Sequence, residues 1–345
     1  MELEETLKLS IVRTLIWLIG SSAVICGGPR EDFLKLIDRP RVPLAVEIIN
    51  LRRAGSLERF RFTFATDGTQ RVPGILIKPA SAVSASVERR PVVICLHGTG
   101  GSKEECVPEL EEMAAKGFLG VAIDGRYHGE RTRLGSYDGA ILEAYRTGKE
   151  HPFLYDEVWD VMRLIDYLGT RPDVNPSRIG LIGYSKGGME AYLAGAVDTR
   201  IRVVVSALGV ESFRWALDNG GWSARTDSFK PAVKGAARDA GVWFIRSNFV
   251  RQFYDRVAPG IYSEFDGPSM LPLIAPRALL TINGALDSKT PRPGVMECID
   301  AAKRAYAALG ASDKARFIIE ENVGHRVTAE ANRTSIEWLE RWLTP

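Results

Sequence analysis

Four cysteines and four histidines are all that 345 residues provide. Cys26, Cys95, Cys106 and Cys298 stand far apart and form no CxxC pair, which argues against a thiolate zinc site and against a disulfide scaffold. Cys95 falls inside the run Val92-Val93-Ile94-Cys95-Leu96 and reads as a small buried hydrophobe. A surplus of one charge is missing too. The 45 Lys+Arg face 43 Asp+Glu, a net of +2, so the basic face that phosphate recognition needs has no source, and no nucleic-acid partner is expected. No apolar stretch reaches the roughly 20 residues of a membrane-spanning helix. The most apolar one, Leu15 to Gly28, lies in an uncharged segment bounded by Arg13 and Arg30. The chain opens Met1-Glu2-Leu3-Glu4-Glu5, without the basic start of a secretory signal, and Ile25 precedes Cys26 where a lipoprotein cleavage site has a small residue. This stretch reads as a helix packed on the body, with a membrane anchor or unusual signal as the alternative, and the expected location is cytoplasmic.

What is present is a folded chain, 45% hydrophobic and 26% charged, long enough for one large domain or two modest ones. Phe60, Phe62 and Phe64 alternate with polar residues, and Val72 to Lys78 forms a second strand pattern. Thr66-Asp67-Gly68-Thr69 supplies the turn between them. Six short apolar runs follow: Val92–Leu96, Leu119–Ile123, Ile179–Gly183, Ile201–Ser206, Ala278–Ile282 and Phe317–Ile319. Unbroken Val- and Ile-rich runs separated by helical periodicity predict strands buried on both faces, hence an α/β fold with a mostly parallel sheet. Val158, Val161, Met162, Ile165 and Leu168 recur at helical spacing, as do Ile336, Leu339 and Leu343 in a last helix from Ala329. Residues 208–275 break the alternation and hold 11 of the 30 aromatics, too many for a linker. They are expected to form an inserted cap whose own packing uses most of those rings. The expected division is a helical extension over 1–55 and one domain over 56–345 that carries the cap.

Chemistry concentrates at Gly183-Tyr184-Ser185-Lys186-Gly187-Gly188, between the run Ile179–Ile182 and the helical pattern Met189–Ala196. Composition alone yields about 0.2 copies of G-x-S-x-G in such a chain, so the strand–turn–helix context carries the weight. A serine hydroxyl needs a base. His325 follows the last strand pattern and precedes the final helix, at the sheet edge where that base belongs. The imidazole needs an acceptor in turn. Asp287 lies just past the run Ala278–Ile282, whereas its rival Asp300 falls within a helix. Leu96-His97-Gly98-Thr99-Gly100-Gly101 leaves a strand into a Gly-rich loop, so the amides of Thr99 and Lys186 are the expected oxyanion donors. His97 reads as a loop-packing residue. The loop lacks a GK[ST] ending, which argues against a nucleotide cradle. Asp124-Gly125-Arg126-Tyr127-His128-Gly129-Glu130-Arg131 reads as a loop braced by Arg–carboxylate pairs, and the side chain of Lys186 as facing solvent or an acid.

In this order and spacing the chain resembles the α/β-hydrolase superfamily over residues 58–343. The run Arg171-Pro172-Asp173-Val174-Asn175-Pro176-Ser177-Arg178-Ile179-Gly180, leading into Gly183–Gly188, is similar to the dienelactone hydrolase, acetyl xylan esterase and prolyl-oligopeptidase-like branch. The resemblance implies Ser185, Asp287 and His325 as nucleophile, acid and base, with Thr99 and Lys186 as oxyanion donors, and no metal or cofactor. Dienelactone hydrolases have a cysteine nucleophile; serine here points to ordinary esterases. The expected function is a serine hydrolase of small carboxylic esters working through an acyl-enzyme, with the 208–275 cap and residues 125–150 shaping its pockets. The alternatives are an amidase or peptidase of the same fold and a non-catalytic binding protein that keeps it.

Overall fold

The computed structural model describes residues 27–51, 55–80 and 88–344. Cys26 and nearly all of the apolar N-terminal stretch lie outside the described residues. Among the described residues nine strands form one sheet: β1 (Glu47–Asn50), β2 (Leu57–Ala65), β3 (Arg71–Pro79), β4 (Arg90–Leu96), β5 (Leu119–Ile123), β6 (Val174–Tyr184), β7 (Ile201–Ala207), β8 (Ala278–Gly284) and β9 (Ala315–Glu320). Their spatial order is β1-β2-β3-β5-β4-β6-β7-β8-β9. The first three join antiparallel, β3 meets β5 antiparallel, and every pair from β5 onward is parallel. The α/β-hydrolase fold class read from the sequence is the one observed.

Local chemistry explains much of this. The β2–β3 turn closes because Asp67 Oδ1 accepts from the amides of Thr69 and Gln70, both at 2.9 Å. Along β4 the side chains alternate between two cores. Val92, Ile94 and Leu96 join the larger one; Val93 and Cys95 join the smaller. Helices Tyr155–Thr170 and Lys186–Val197 cover the first face, and helices Val107–Ala115 and Ala329–Leu343 the second. Cys95, Cys106 and Cys298 are buried free thiols.

The chain runs from β4 to β5, then crosses back over β4 to β6. Strand order therefore reverses at β4, and in open α/β sheets a crevice forms at such a point beyond the carboxyl ends of the strands.

Two parts differ from the sequence reading. Within the first 55 residues the described portion holds a strand as well as a helix. β1 pairs with β2 at the sheet edge, while helix Pro29–Ile37 buries Phe33 edge-on to Tyr155 at 4.7 Å and to Phe265 at 5.1 Å. Residues 208–275 are mostly helical, with helices Phe213–Asp218, Trp222–Thr226, Lys230–Asp239, Ser247–Val257 and Gly267–Met270. Phe213, Phe229, Phe253 and Tyr254 pack together as expected, but Trp243 and Phe244 are 89% and 80% exposed.

Candidate active site

Ser185 sits where β6 ends and the helix Lys186–Val197 begins, at φ 56° and ψ −114°. For a side chain with a Cβ this is a strained conformation, costing on the order of 1–3 kcal/mol, and it persists only because the surroundings over-determine it. The turn is that tight because a Cβ on Gly183 would lie 1.9 Å from the Gly187 carbonyl oxygen, so no larger residue fits. The Ser185 N–H donates to Ala207 O at 2.8 Å, tying the elbow to the end of β7.

Three loops at the carboxyl edge then converge. Ser185 Oγ and His325 Nε2 are 2.8 Å apart, and His325 Nδ1 lies 2.7 Å from Asp287 Oδ2. The histidine and aspartate loops are clamped by backbone bonds from Ala285 N to Glu320 O and from Leu286 N to Val323 O, both 2.9 Å. Gly284 permits that approach, since a Cβ there would meet Val323 O at 2.3 Å. Asp287 is buried, which by itself would raise its carboxyl. The hydrogen bond and charge of His325, the Lys289 amide and the Thr290 hydroxyl outweigh burial and hold it below the ordinary 3.8. Asp300 is exposed on the helix Arg292–Ala308.

The loop after β4 runs beside the serine, with the Cβ position of Gly98 3.6 Å from Ser185 Cβ. Thr99 lines one cavity with Ser185 and His325. Lys186 is the first residue of its helix, so its N–H has no intrahelical acceptor and is free for an incoming oxygen. His97 takes the packing role expected of it. Its Nδ1–H donates to Gly98 O at 2.8 Å, and its Nε2 accepts from Gly125 N–H at 3.0 Å, an arrangement that requires the neutral ring. Burial and the charge of Lys186 lower its pKa and keep it neutral.

The Lys186 side chain turns away from solvent entirely. Its Nζ bonds Glu157 Oε2 at 2.6 Å and Glu190 Oε1 at 2.5 Å, with the ammonium fully buried. Burial opposes all three charges. Lys186 nevertheless holds Glu157 at about 2, while burial and the Glu157 charge push Glu190 well above its usual range, so the cluster carries one carboxylate, one carboxylic acid and one ammonium. The i,i+4 spacing of Lys186 and Glu190 was visible in the sequence; nothing marked Glu157, 29 residues upstream.

Within residues 125–150 two arginines brace the loop after β5. Arg126 and Arg131 both bond the buried Asp160, at 2.9 and 2.7 Å, and Lys103 bonds Asp124 at 2.8 Å. None of residues 125–150 borders the cavity beside Ser185, which corrects the expectation that this stretch shapes a substrate pocket. Residues from the 208–275 helices do border it, among them Phe213, Arg225 and Phe229. The sequence reading had not singled out Arg225.

Known proteins share this sequence and this fold in part. A family model described as glucuronyl esterase, fungi, matches residues 82–310. YtaP of Bacillus subtilis, provisionally named a hydrolase, is 26% identical over 330 residues, covering 91% of this chain and 98% of that protein. A 4-O-methyl-glucuronoyl methylesterase of Hypocrea jecorina is 33% identical over 179 residues, 51% of this chain and 37% of its own length. Among solved structures, acetyl xylan esterase 1 from Thermoanaerobacterium superposes with a TM-score of 0.70 at 16% identity over 92% of this chain and 95% of that one. A glucuronoyl esterase from Solibacter usitatus gives 0.63 at 18%, over 91% and 92%. At such identities these two likenesses show the shared fold. With its parallel sheet, its elbow serine and a family match over most of its length, the chain belongs to the glucuronyl esterase family of the α/β-hydrolase superfamily and is a carboxylic ester hydrolase.

Proposed function

We propose that Ser185, His325 and Asp287 act as a nucleophile–base–acid triad that cleaves esters through an acyl-enzyme. The observation that carries this reading is the unbroken relay of 2.8 and 2.7 Å contacts across three separate loops at one sheet edge. His325 Nε2 takes the Ser185 proton as Oγ attacks the acyl carbon. Asp287 holds the ring so that Nδ1 carries the other proton, and its charge stabilises the imidazolium. The tetrahedral oxyanion is held by the amides of Thr99 and Lys186; in related chemistry one such donor is worth about 10²–10³ in rate. Collapse expels the alcohol, which leaves with the proton from His325. Water, deprotonated by the same nitrogen, then attacks the Ser185 acyl ester and releases the carboxylic acid.

The relatives support a substrate class. Proteins similar to this chain are named for glucuronoyl methyl esters and for acetylated xylan, and we infer a small ester carried on a sugar. The cavity beside Ser185 is bordered by Thr99, Phe153, Met189, Leu208 and Phe213, which supports a mixed polar and apolar site for such a group. Ser185→Ala should abolish release of acetate or methanol from such esters, and Ser185 should take up a fluorophosphonate. Full turnover by Ser185→Ala would refute the mechanism.

A further inference from the structure

Arg225 borders the same cavity as Ser185 and His325, is only 6% exposed, and has a buried Nε without a hydrogen-bond partner among the described residues. It makes no ion pair with a carboxylate among the described residues. Asp227, two residues on, pairs instead with Lys230 and lies 4.0 Å from Lys289. The acid that acts on Arg225 through space is Glu211, whose carboxyl burial pushes up to about 8, so it is largely uncharged at neutral pH. Both Glu211 oxygens are also without partners. The guanidinium lies 5.1 Å from the centre of the Phe213 ring, a contact that uses its face and leaves its N–H edge free.

A buried cation without a counter-ion destabilises a folded protein, because its lost hydration is not replaced. A chain that keeps one on the wall of its substrate cavity has a reason to when a ligand supplies the missing charge. The cavity has a second cation at its rim, Lys289, with a 38% exposed side chain, and a hydroxyl, Ser228. Thr99 and Thr290 add two more hydroxyls beside Ser185 and His325, and the rest of the wall is apolar, including Phe153, Phe213 and Phe229. Burial of Arg225 limits its contact with water, and a bidentate carboxylate contact is strongest in such a setting.

We propose that Arg225 is a specificity-determining residue that binds a carboxylate carried by the ester substrate. This rests on Ser185 being the nucleophile of that cavity, and it adds what the neutral esters suggested by the relatives do not require: an anionic group held beside the scissile bond. Lys289 supplies long-range attraction at the rim, and the planar fork of Arg225 supplies the directional contact.

The test compares size-matched esters by product release. Methyl hemisuccinate against methyl butyrate places the charge on the acyl side, and acetoxyacetate against propyl acetate places it on the alcohol side. The protein should favour the charged member of at least one pair by tenfold or more in kcat/KM. Arg225→Met should bring that ratio to about one, and Arg225→Lys should leave an intermediate value, the signature of lost charge recognition rather than lost folding. A parent protein that prefers neither charged ester, or an Arg225→Met variant that keeps the ratio, overturns the proposal. Turnover of the neutral esters reports separately on the Ser185 mechanism. Should that turnover be absent, calorimetric binding of succinate to Ser185→Ala still decides: binding that Arg225→Met weakens at least tenfold supports the site, and no binding or unchanged binding refutes it.

Discussion

The ammonium of Lys186 lies 2.6 Å from Glu157 Oε2, so the residue that follows Ser185 is fastened to a helix that precedes β6 in the chain. The elbow is thus held from two sides: by its own strand and by a buried charge cluster beneath it. Glu157 also accepts the Arg126 amide at 3.0 Å, which links the elbow to the loop after β5.

Lys186→Met leaves Glu157 and Glu190 buried without their shared cation. The expected loss is about 3–5 kcal/mol, because breaking one partner of a buried cluster strands the others. Urea denaturation reads it as a lower midpoint at unchanged slope. Adding Glu157→Gln and Glu190→Gln to the same chain should restore much of the loss; an unshifted midpoint in the single variant would show that the cluster is not what holds the elbow.

Asp287→Asn keeps the shape of the acid but removes its charge and can turn an NH2 donor toward Nδ1, which favours the wrong His325 tautomer. A drop of about 10³–10⁴ in kcat on a small ester is expected. Asp300→Asn, on an exposed helix face, should leave kcat where it was. Equal effects of the two substitutions would remove Asp287 from the triad.

Glu211 makes stability depend on pH in the direction opposite to a paired carboxylate. Its pKa rises from an ordinary 4.5 to about 8 on folding. The folded state therefore binds the extra proton, and the resulting stability is fully present below about 4.5 and is lost as pH climbs toward 8. Glu211→Gln should remove that dependence. Its stability relative to the parent should grow with pH by up to about 1.4 kcal/mol per unit between those values. Melting temperatures measured from pH 5 to 8 check it, and a gap that does not change with pH contradicts it.

Phe33→Ala tests how firmly the N-terminal helix belongs to the body. The ring is completely buried against Tyr155 and Phe265, so a loss of about 3–5 kcal/mol is expected. A loss below about 1 kcal/mol would mean that the helix docks without contributing to the core.

How much of this was legible in the residue pattern depended on distance along the chain. The strands were readable because alternation and apolar runs are local; β4 and β5 extend the predicted runs by two residues or fewer. The elbow was readable for the same reason, since Gly183, Ser185 and Gly187 lie within one turn and the steric conflict that demands glycine is among neighbours. Asp287 and His325 were readable by chain order, because each follows a strand at the edge where loops converge. β1 escaped notice because four residues, all exposed, show no apolar alternation. The exposed Trp243 and Phe244 escaped because composition does not report which rings a cap buries.

The sequence by itself determined the alternation of strands and helices, the strained serine turn and the chain order of the three polar residues that meet there. Local sterics and hydrophobic periodicity need no distant partner. Tertiary structure alone decided that Glu157 neutralises Lys186, that Arg126 and Arg131 brace a loop through Asp160, and that Arg225 reaches the cavity of Ser185 without a counter-ion among the described residues. Each of those outcomes turns on a charge pair, or the lack of one, between residues far apart in the chain. Such pairs are settled by which side chains share a buried, low-dielectric space, and only the folded chain brings them into it.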